Sequence, residues 1–299
     1  MKFLKETNID FLSMRRFGFV ISGTLILAGI VSLVLQGGPR LGIDFEGGTL
    51  VQIRFQHEVT TFQLRDALEP LGLGKSEIQI LGDRREAIVR LQEKGETETL
   101  VKILKDAFLT AMPDASPDFR RVESVGPKIG GELKGKALTA ILSALLVIMI
   151  YIAFRFQFKF AVGAIAALVH DVLITLGVFS IMGYEISLPI IAAFLTIVGY
   201  SLNDTIVVFD RVRENLKRIK QEPHDTIVNK SINESLSRTV ITSLTTFAVV
   251  FTLWAAGGEV IKYFAFAMMV GVIVGTYSSI FIASPAVVLW ERRFVASRT

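Results

Sequence analysis

Six apolar runs dominate this chain of 299 residues: Phe17 to Leu35, Ala137 to Phe154, Phe160 to Met182, Leu188 to Phe209, Thr239 to Ala256 and Tyr263 to Leu289. Each comes close to the roughly 20 residues that an α-helix needs to cross bilayer hydrocarbon. In that solvent every backbone N–H and C=O must find its partner inside the protein, and an unbroken run of this length does so only as a helix. The hydrophobic share of 51% and the mean hydropathy of +0.53 exceed what a soluble domain carries. The sequence therefore predicts an α-helical membrane protein with six spans. It leaves one long polar gap, from Gly37 to Lys136, as the only sizeable body outside the bilayer.

Charge placement orients the chain, because short cytoplasmic loops collect Lys and Arg. Lys2, Lys5, Arg15 and Arg16 precede the first span, Arg155 and Lys159 separate the second from the third, and Arg292, Arg293 and Arg298 follow the last. Arg211, Arg213, Lys217, Arg218, Lys220 and Lys230 fill the connection between the fourth and fifth spans. On the opposite side, Gly183 to Ser187 holds no Lys or Arg and Gly257 to Lys262 holds one. Both termini are expected in the cytoplasm and the long gap outside. The expected parts are 1–36, the N-terminus with the first span; 37–136, an extracytoplasmic domain; and 137–299, a five-helix bundle. The first span is too long for a signal-peptide core and no A-x-A site follows, so it reads as an uncleaved signal anchor. The absence of cysteine excludes disulfides and thiolate metal sites.

Within the gap, Val51, Ile53 and Phe55 alternate with Gln52 and Arg54, the period of a half-buried strand. Thr61 to Leu71 reads as a helix with Phe62, Leu64, Leu68 and Leu71 along one face and Thr60 or Thr61 as its N-cap. Glu77 to Leu81 and Ala87 to Leu91 form a hairpin through Gly82-Asp83-Arg84-Arg85. Glu96 to Phe108 is a second helix with Leu100, Ile103, Leu104 and Ala107 inward, and Phe119 to Val125 a closing strand. The order is βαββαβ, so a small α+β ferredoxin-like domain is expected. Its 15 basic and 16 acidic residues between Arg40 and Lys136 give no electrostatic footprint for nucleic acid, and a polypeptide or partner domain is the expected contact. Gly37-Gly38-Pro39, Gly126-Pro127 and Gly130-Gly131 mark turns or hinges at the membrane exits.

Chemistry concentrates inside the spans. Asp204 lies in the fourth run, roughly 8 Å from its midpoint at about 1.5 Å per residue. A charge in membrane hydrocarbon costs at least about 2.5 kcal/mol, so such a group faces a counter-charge, water or a transported ion. Tyr200, Asn203, Asp204, Val207 and Arg211 share a helix face. Arg238, in Ser235-Leu236-Ser237-Arg238-Thr239 at the start of the next run, is the candidate partner. At about 4 Å and an effective dielectric near 20 the pair attracts by about 4 kcal/mol. Movement that separates it would then change whether Asp204 holds a proton. His170 and Asp171 stand near the middle of the third run, about 100° apart around the helix, so they are not expected to face one partner; a place in the ion pathway and a structural hydrogen bond both fit them. Ser201 and Asn203 supply oxygens that suit sodium as well as protons. Ser201 with His170 also raises an intramembrane serine protease, but the second glycine of a G-x-S-x-G elbow is missing. Gly271, Gly275, Ser278 and Ser279 have the spacing of close helix packing.

The stretch Gly42-Ile43-Asp44-Phe45-Glu46-Gly47-Gly48-Thr49 resembles the signature of the SecF family, whose members form the smaller part of the SecDF protein-export complex. Gly199 to Arg211, Ser231 to Thr239 and Gly275 to Ser279 are similar to further segments of that family, in order and at matching spacing. The resemblance implies membership of the resistance-nodulation-division superfamily, with six helices forming half of a twelve-helix transporter and SecD the other half. It implies an accessory role in which proton flow drives outer domains that hold unfolded polypeptide leaving the SecYEG channel after SecA, with YajC and YidC as further partners, no cofactor and no enzymatic step. Asp204 and Arg238 match family positions implicated in proton coupling. A proton crossing about 180 mV delivers about 4 kcal/mol, which biases a two-state movement about a thousandfold. A half of a small-solute exporter and a passive subunit that stabilises the channel are the rival readings.

Overall fold

The computed structural model describes residues 7–74, 76–82, 84–91, 97–219 and 221–294. The expectations for Lys2, Lys5, Asp83, Glu96, Lys220 and Arg298 fall outside the described residues. In chain order the elements are α1 (Arg15–Leu35), α2 (Ile43–Glu46), β1 (Gly48–Arg54), α3 (Thr61–Leu68), β2 (Glu77–Leu81), β3 (Glu86–Leu91), α4 (Thr97–Ala111), β4 (Asp118–Val125), α5 (Pro127–Arg155), α6 (Phe158–Met182), α7 (Leu188–Arg218), α8 (His224–Ala256), α9 (Glu259–Ser278) and α10 (Ser284–Phe294). A π-helical turn, Ser279–Ala283, joins the last two. The chain divides into two compact units, 1–40 with 139–299, and 41–138.

The first unit is a helical bundle in which, among the described residues, six helices are long and apolar enough to cross a membrane. Its centre is formed by α6, α7 and α9 with α10, which bury about half of their apolar windows, while α1, α5 and α8 leave most of theirs exposed. Phe156, Phe160 and Phe209 form an aromatic knot in the core, with 5.0 Å between the Phe160 and Phe209 ring centroids. Two helices outrun their apolar stretches. α7 continues to Arg218 and α8 starts at His224, so the expected basic loop is mostly helix. Polar pairs hold this extension: Asn215 donates to Ser231 at 2.9 Å and to Glu234 at 2.8 Å, and Arg211 meets Glu234 at 3.1 Å. The sixth run is also not one uniform helix, because the π turn interrupts it.

The second unit has the βαββαβ order, with an antiparallel sheet of strand order β2-β3-β1-β4. Central β1 is buried almost along its length and pairs Val51 with Val89 of β3 and Val122 of β4. α3 begins at Thr60, whose hydroxyl accepts from Gln63 N–H while the Gln63 side chain accepts from Thr60 N–H, a capping box. The core gathers Val51, Ile53, Phe55, Leu64, Leu68, Leu100, Leu104 and Phe108. Two expected core positions lie elsewhere. Phe62 is 73% exposed and Ile103 42% exposed. Phe62 is two residues from Leu64, about 200° around the helix, and the inward stripe of α4 is Leu100, Leu104 and Phe108, spaced by four.

Candidate ion-coupling site

Asp204 is 1% exposed and lies among α7, α8 and α9. Ser243 of α8 donates to its Oδ2 at 3.3 Å. Ser243 in turn stands 2.6 Å from the Thr276 hydroxyl of α9 and receives Tyr200 O–H at 3.4 Å. Thr276 Oγ1 also lies 2.7 Å from Val272 O within its own helix, so its single proton is shared between that carbonyl and Ser243. The carboxylate is thus served by a short hydroxyl chain. The sequence reading missed Ser243 and Thr276, because single hydroxyls are common at helix interfaces and carry no spacing signal.

The expected direct pair of Asp204 with Arg238 is not made. Among the described residues the two form no ion pair, and Arg238 is exposed, as is Asn203. Ser243 and Arg238 are five residues apart on α8, about 140° around its axis. Ser243 and Arg238 therefore leave α8 on different sides, and Arg238 acts on Asp204 through its charge and not through a bond; of the predicted face, Tyr200 also reaches the cluster.

His170 and Asp171 are 5% and 1% exposed; as expected they reach different partners, His170 toward α1 and Asp171 toward α7 and α9, and they also bond each other. His170 Nδ1 lies 2.7 Å from Asp171 Oδ1, since both side chains are long enough to close the angle between adjacent positions. The other carboxylate oxygen accepts from Ser201 of α7 and, at 2.8 Å, from Ser278 of α9. His170 Nε2 stands 2.8 Å from Ser22 Oγ of α1. Ser22 contacts Tyr277 O–H at 3.1 Å, and that phenol donates to Gly18 O at 2.6 Å. One imidazole and one carboxylate so tie four helices, a buried network with its polar atoms matched. Ser22 and Tyr277 are members that the sequence did not single out, and Ser278, expected only to pack, donates to the carboxylate.

The protease reading loses its geometry. Ser201 bonds Asp171 and not His170. Ser22, His170 and Asp171 do follow the order of a nucleophile triad. Yet Ser22 is 4% exposed with His170 and Tyr277 on its hydroxyl, so no substrate carbonyl has room to reach it.

The signature Gly42 to Thr49 is a structural joint in the second unit. Gly42 caps α2, Ile43 and Phe45 are buried, Asp44 is half-buried, and the chain then reverses into β1 through Gly47 and Gly48 at φ of +78° and +116°. A Cβ on Gly47 would stand 2.9 Å from Pro127 Cα, so the motif lets the start of α5 pack on this turn.

Comparison with known proteins agrees with these features. The family model for the C-terminal part of protein export membrane protein SecD/SecF matches residues 105–293, and that for the SecD/SecF GG motif matches 33–59. The protein translocase subunit SecF of Desulfurispirillum indicum is 47% identical over 98% of this chain and 95% of its own length. That of Thermodesulfovibrio yellowstonii is 44% identical over the whole of both. Among solved structures, SecDF of Thermus thermophilus, described as a translocon-associated membrane protein, superposes with a TM-score of 0.87 at 41% identity, over 96% of this chain. SecDF in a super-membrane-facing form gives 0.71 at 39% identity. The chain spans only 39% and 40% of those two longer chains. By sequence over its full length and by fold, the chain belongs to the SecF family of protein-export membrane proteins.

Proposed function

We propose that this protein couples ion flow to protein export, as the smaller half of a transporter whose other half is a SecD protein. The observation that carries this reading is Asp204: a carboxyl 1% exposed, inside a membrane-spanning helix, with a hydroxyl chain in place of a bonded cation. Burying such a group is costly without a purpose. Arg238, exposed on the neighbouring helix, is its proposed counter-charge, engaged in another conformation or within the complete transporter. His170, Asp171, Tyr200, Ser201 and Asn203 belong to the same coupling apparatus, and the proton is the proposed ion. Both termini lie in the cytoplasm in this reading, as the basic connections favour. The ferredoxin-like unit lies outside and meets unfolded polypeptide emerging from the SecYEG channel after SecA has acted, with YajC and YidC as further contacts.

The test is export into inverted membrane vesicles containing this protein and its SecD partner, with and without a proton gradient. Asp204→Asn keeps the shape but cannot exchange a proton, so it is expected to assemble and to lose the gradient-dependent part of export. Full gradient dependence in that variant would remove Asp204 as the carrier. Dependence on a sodium gradient instead would exchange the ion and leave the site in place.

A further inference from the structure

Two buried carboxylates hang on the same pair of helices. α7 supplies Ser201 to Asp171 and, three residues on, carries Asp204. α9 supplies Ser278 to Asp171 and, two residues earlier, offers Thr276 to the Ser243 hydroxyl that donates to Asp204. Positions two apart lie about 200° around a helix, so Thr276 and Ser278 leave α9 on opposite sides, one toward α8 and the other toward α6. α9 cannot turn without disturbing both ends.

Three further observations bear on this level of the bundle. A Cβ on Gly275 would stand 3.0 Å from Ser201 Cβ, so α7 and α9 are in close contact where the two serines converge. The π turn starts at the residue after Ser278 and is spanned by Ser284 Oγ donating to Ser279 O at 2.8 Å. Such turns are frequent at functional sites. Asp171 is anchored from behind by His170 and, through it, by Ser22 of α1. It is the shared acceptor through which α7 and α9 are both joined to α6.

We propose that Ser278 and Ser201 are positioning residues for the coupling carboxylate: by bonding Asp171 they set the rotation of α9 and α7 at which Asp204 meets Ser243 and Ser243 meets Thr276. The inference rests on the reading of Asp204 as the group that gains and loses the ion. Hydroxyl-to-carboxylate bonds are charge-assisted and about twice as strong as neutral ones, so removing either releases its helix from the setting that the other still holds. Neither serine touches Asp204. Their effect travels by helix rotation.

The experiment measures gradient-driven export against pH in vesicles with the complete complex, for wild type, Ser278→Ala, Ser201→Ala, the double variant, Ser278→Thr and Asp204→Asn. The expected result is that each alanine variant assembles and that the gradient-driven export it retains has the midpoint of its pH profile moved by about 0.5 unit or more, because the surroundings of the titrating group have changed. The double variant should not shift by the sum of the two, since both serines share one acceptor. Ser278→Thr, which keeps the hydroxyl, should return the profile toward wild type. An assembled Ser278→Ala with a lower rate and an unchanged profile would make the serine mere packing and overturn the proposal. Should Ser278→Ala not assemble, Ser278→Cys, of similar size and a weaker donor, is read the same way, and an unchanged profile there overturns it too. Asp204→Asn separates the layers: if it retains gradient dependence the coupling reading fails, and if it loses it while the serine variants keep the wild-type profile only the positioning role fails.

Discussion

Gly29 of α1 and Gly177 of α6 meet backbone to backbone: a Cβ added to Gly29 would come within 2.6 Å of Gly177 Cα. The contact lies on a seam that also joins Ser32 to Ser180 at 2.8 Å, Gln36 to Ser180 O at 2.8 Å, and Ser22 to His170 at 2.8 Å. In hydrocarbon, helices gain nothing from excluding water, so small residues that allow close approach and polar bonds across the gap supply the attraction. The seam fixes α1 against the helix that carries Asp171.

Gly177→Val should therefore force α1 and α6 apart and strain every bond on the seam. Overpacking of this kind costs typically about 1 to 3 kcal/mol. A fall in the thermal unfolding temperature of the detergent-solubilised protein is expected. Gly23→Val, where a Cβ meets nothing within 4 Å, should leave it close to wild type. Equal effects from both would show that the close approach is not what holds α1.

Ser243→Ala removes the hydroxyl that donates to Asp204 and leaves Thr276 facing a methyl group. A lost bond to a charged group is worth about 1.5 to 3 kcal/mol. Gradient-driven export should fall while the amount of assembled complex holds, and Ser243→Thr should recover part of it. Wild-type gradient-driven export by an assembled Ser243→Ala would place the hydroxyl chain outside the mechanism.

Because Arg238 is exposed and acts on Asp204 through its charge without a bond in this structure, a direct bond between the two requires a second arrangement. Arg238→Met should impair gradient-driven export, and Arg238→Lys should keep part of it, since a point charge retains the field but not the planar fork. Combined with Asp204→Asn, Arg238→Met should add little further loss, because both substitutions remove the same interaction. Strictly additive losses in that cycle would mean that the two residues act separately.

The sequence made the membrane helices legible because hydrocarbon leaves the backbone one solution, and the βαββαβ unit legible because strands and helices keep different periods. What it hid were contacts set by rotation about a helix axis. Asp204 was visible as an ionisable group in an apolar run, but Ser243 was one hydroxyl among many on α8. His170 and Asp171 were visible, yet their angular separation suggested divergence where flexible side chains bring them to 2.7 Å. The π turn after Ser278 has no residue signature, because Ser279-Ile280-Phe281-Ile282-Ala283 reads as ordinary apolar helix. Phe62 misled through its type: aromatic residues are usually core, and this one is not.

Gly47 unites two demands that an added side chain breaks together. Its φ of +78° disfavours any residue with a Cβ, and the Cβ itself would meet Pro127 Cα at 2.9 Å. Strain of this kind costs of order 1 to 3 kcal/mol. Gly47→Ala should speed amide hydrogen exchange along β1 in the full-length protein. Gly72→Ala shares the positive φ, at +75°, but meets open space, so its effect should be smaller. The reverse order would show that the turn before β1 tolerates a side chain and that the motif glycine is not needed for packing.

Leu64 and Phe62 sit two residues apart on α3 and should behave as opposites. Leu64 is 0% exposed within the core of the βαββαβ unit, and Phe62 is 73% exposed. Truncating a buried leucine removes transfer energy and leaves a cavity, together about 2 to 5 kcal/mol. Leu64→Ala should thus raise hydrogen exchange across β1 and β3 in the full-length protein, whereas Phe62→Ala should leave those amides protected. An assay of export adds the functional half of the test. Loss of export in Phe62→Ala with the sheet still protected would mark Phe62 as part of a contact surface, the use expected of a large exposed aromatic that the fold does not need. Protection lost equally in both variants would instead mean that α3 packs with a different face inward.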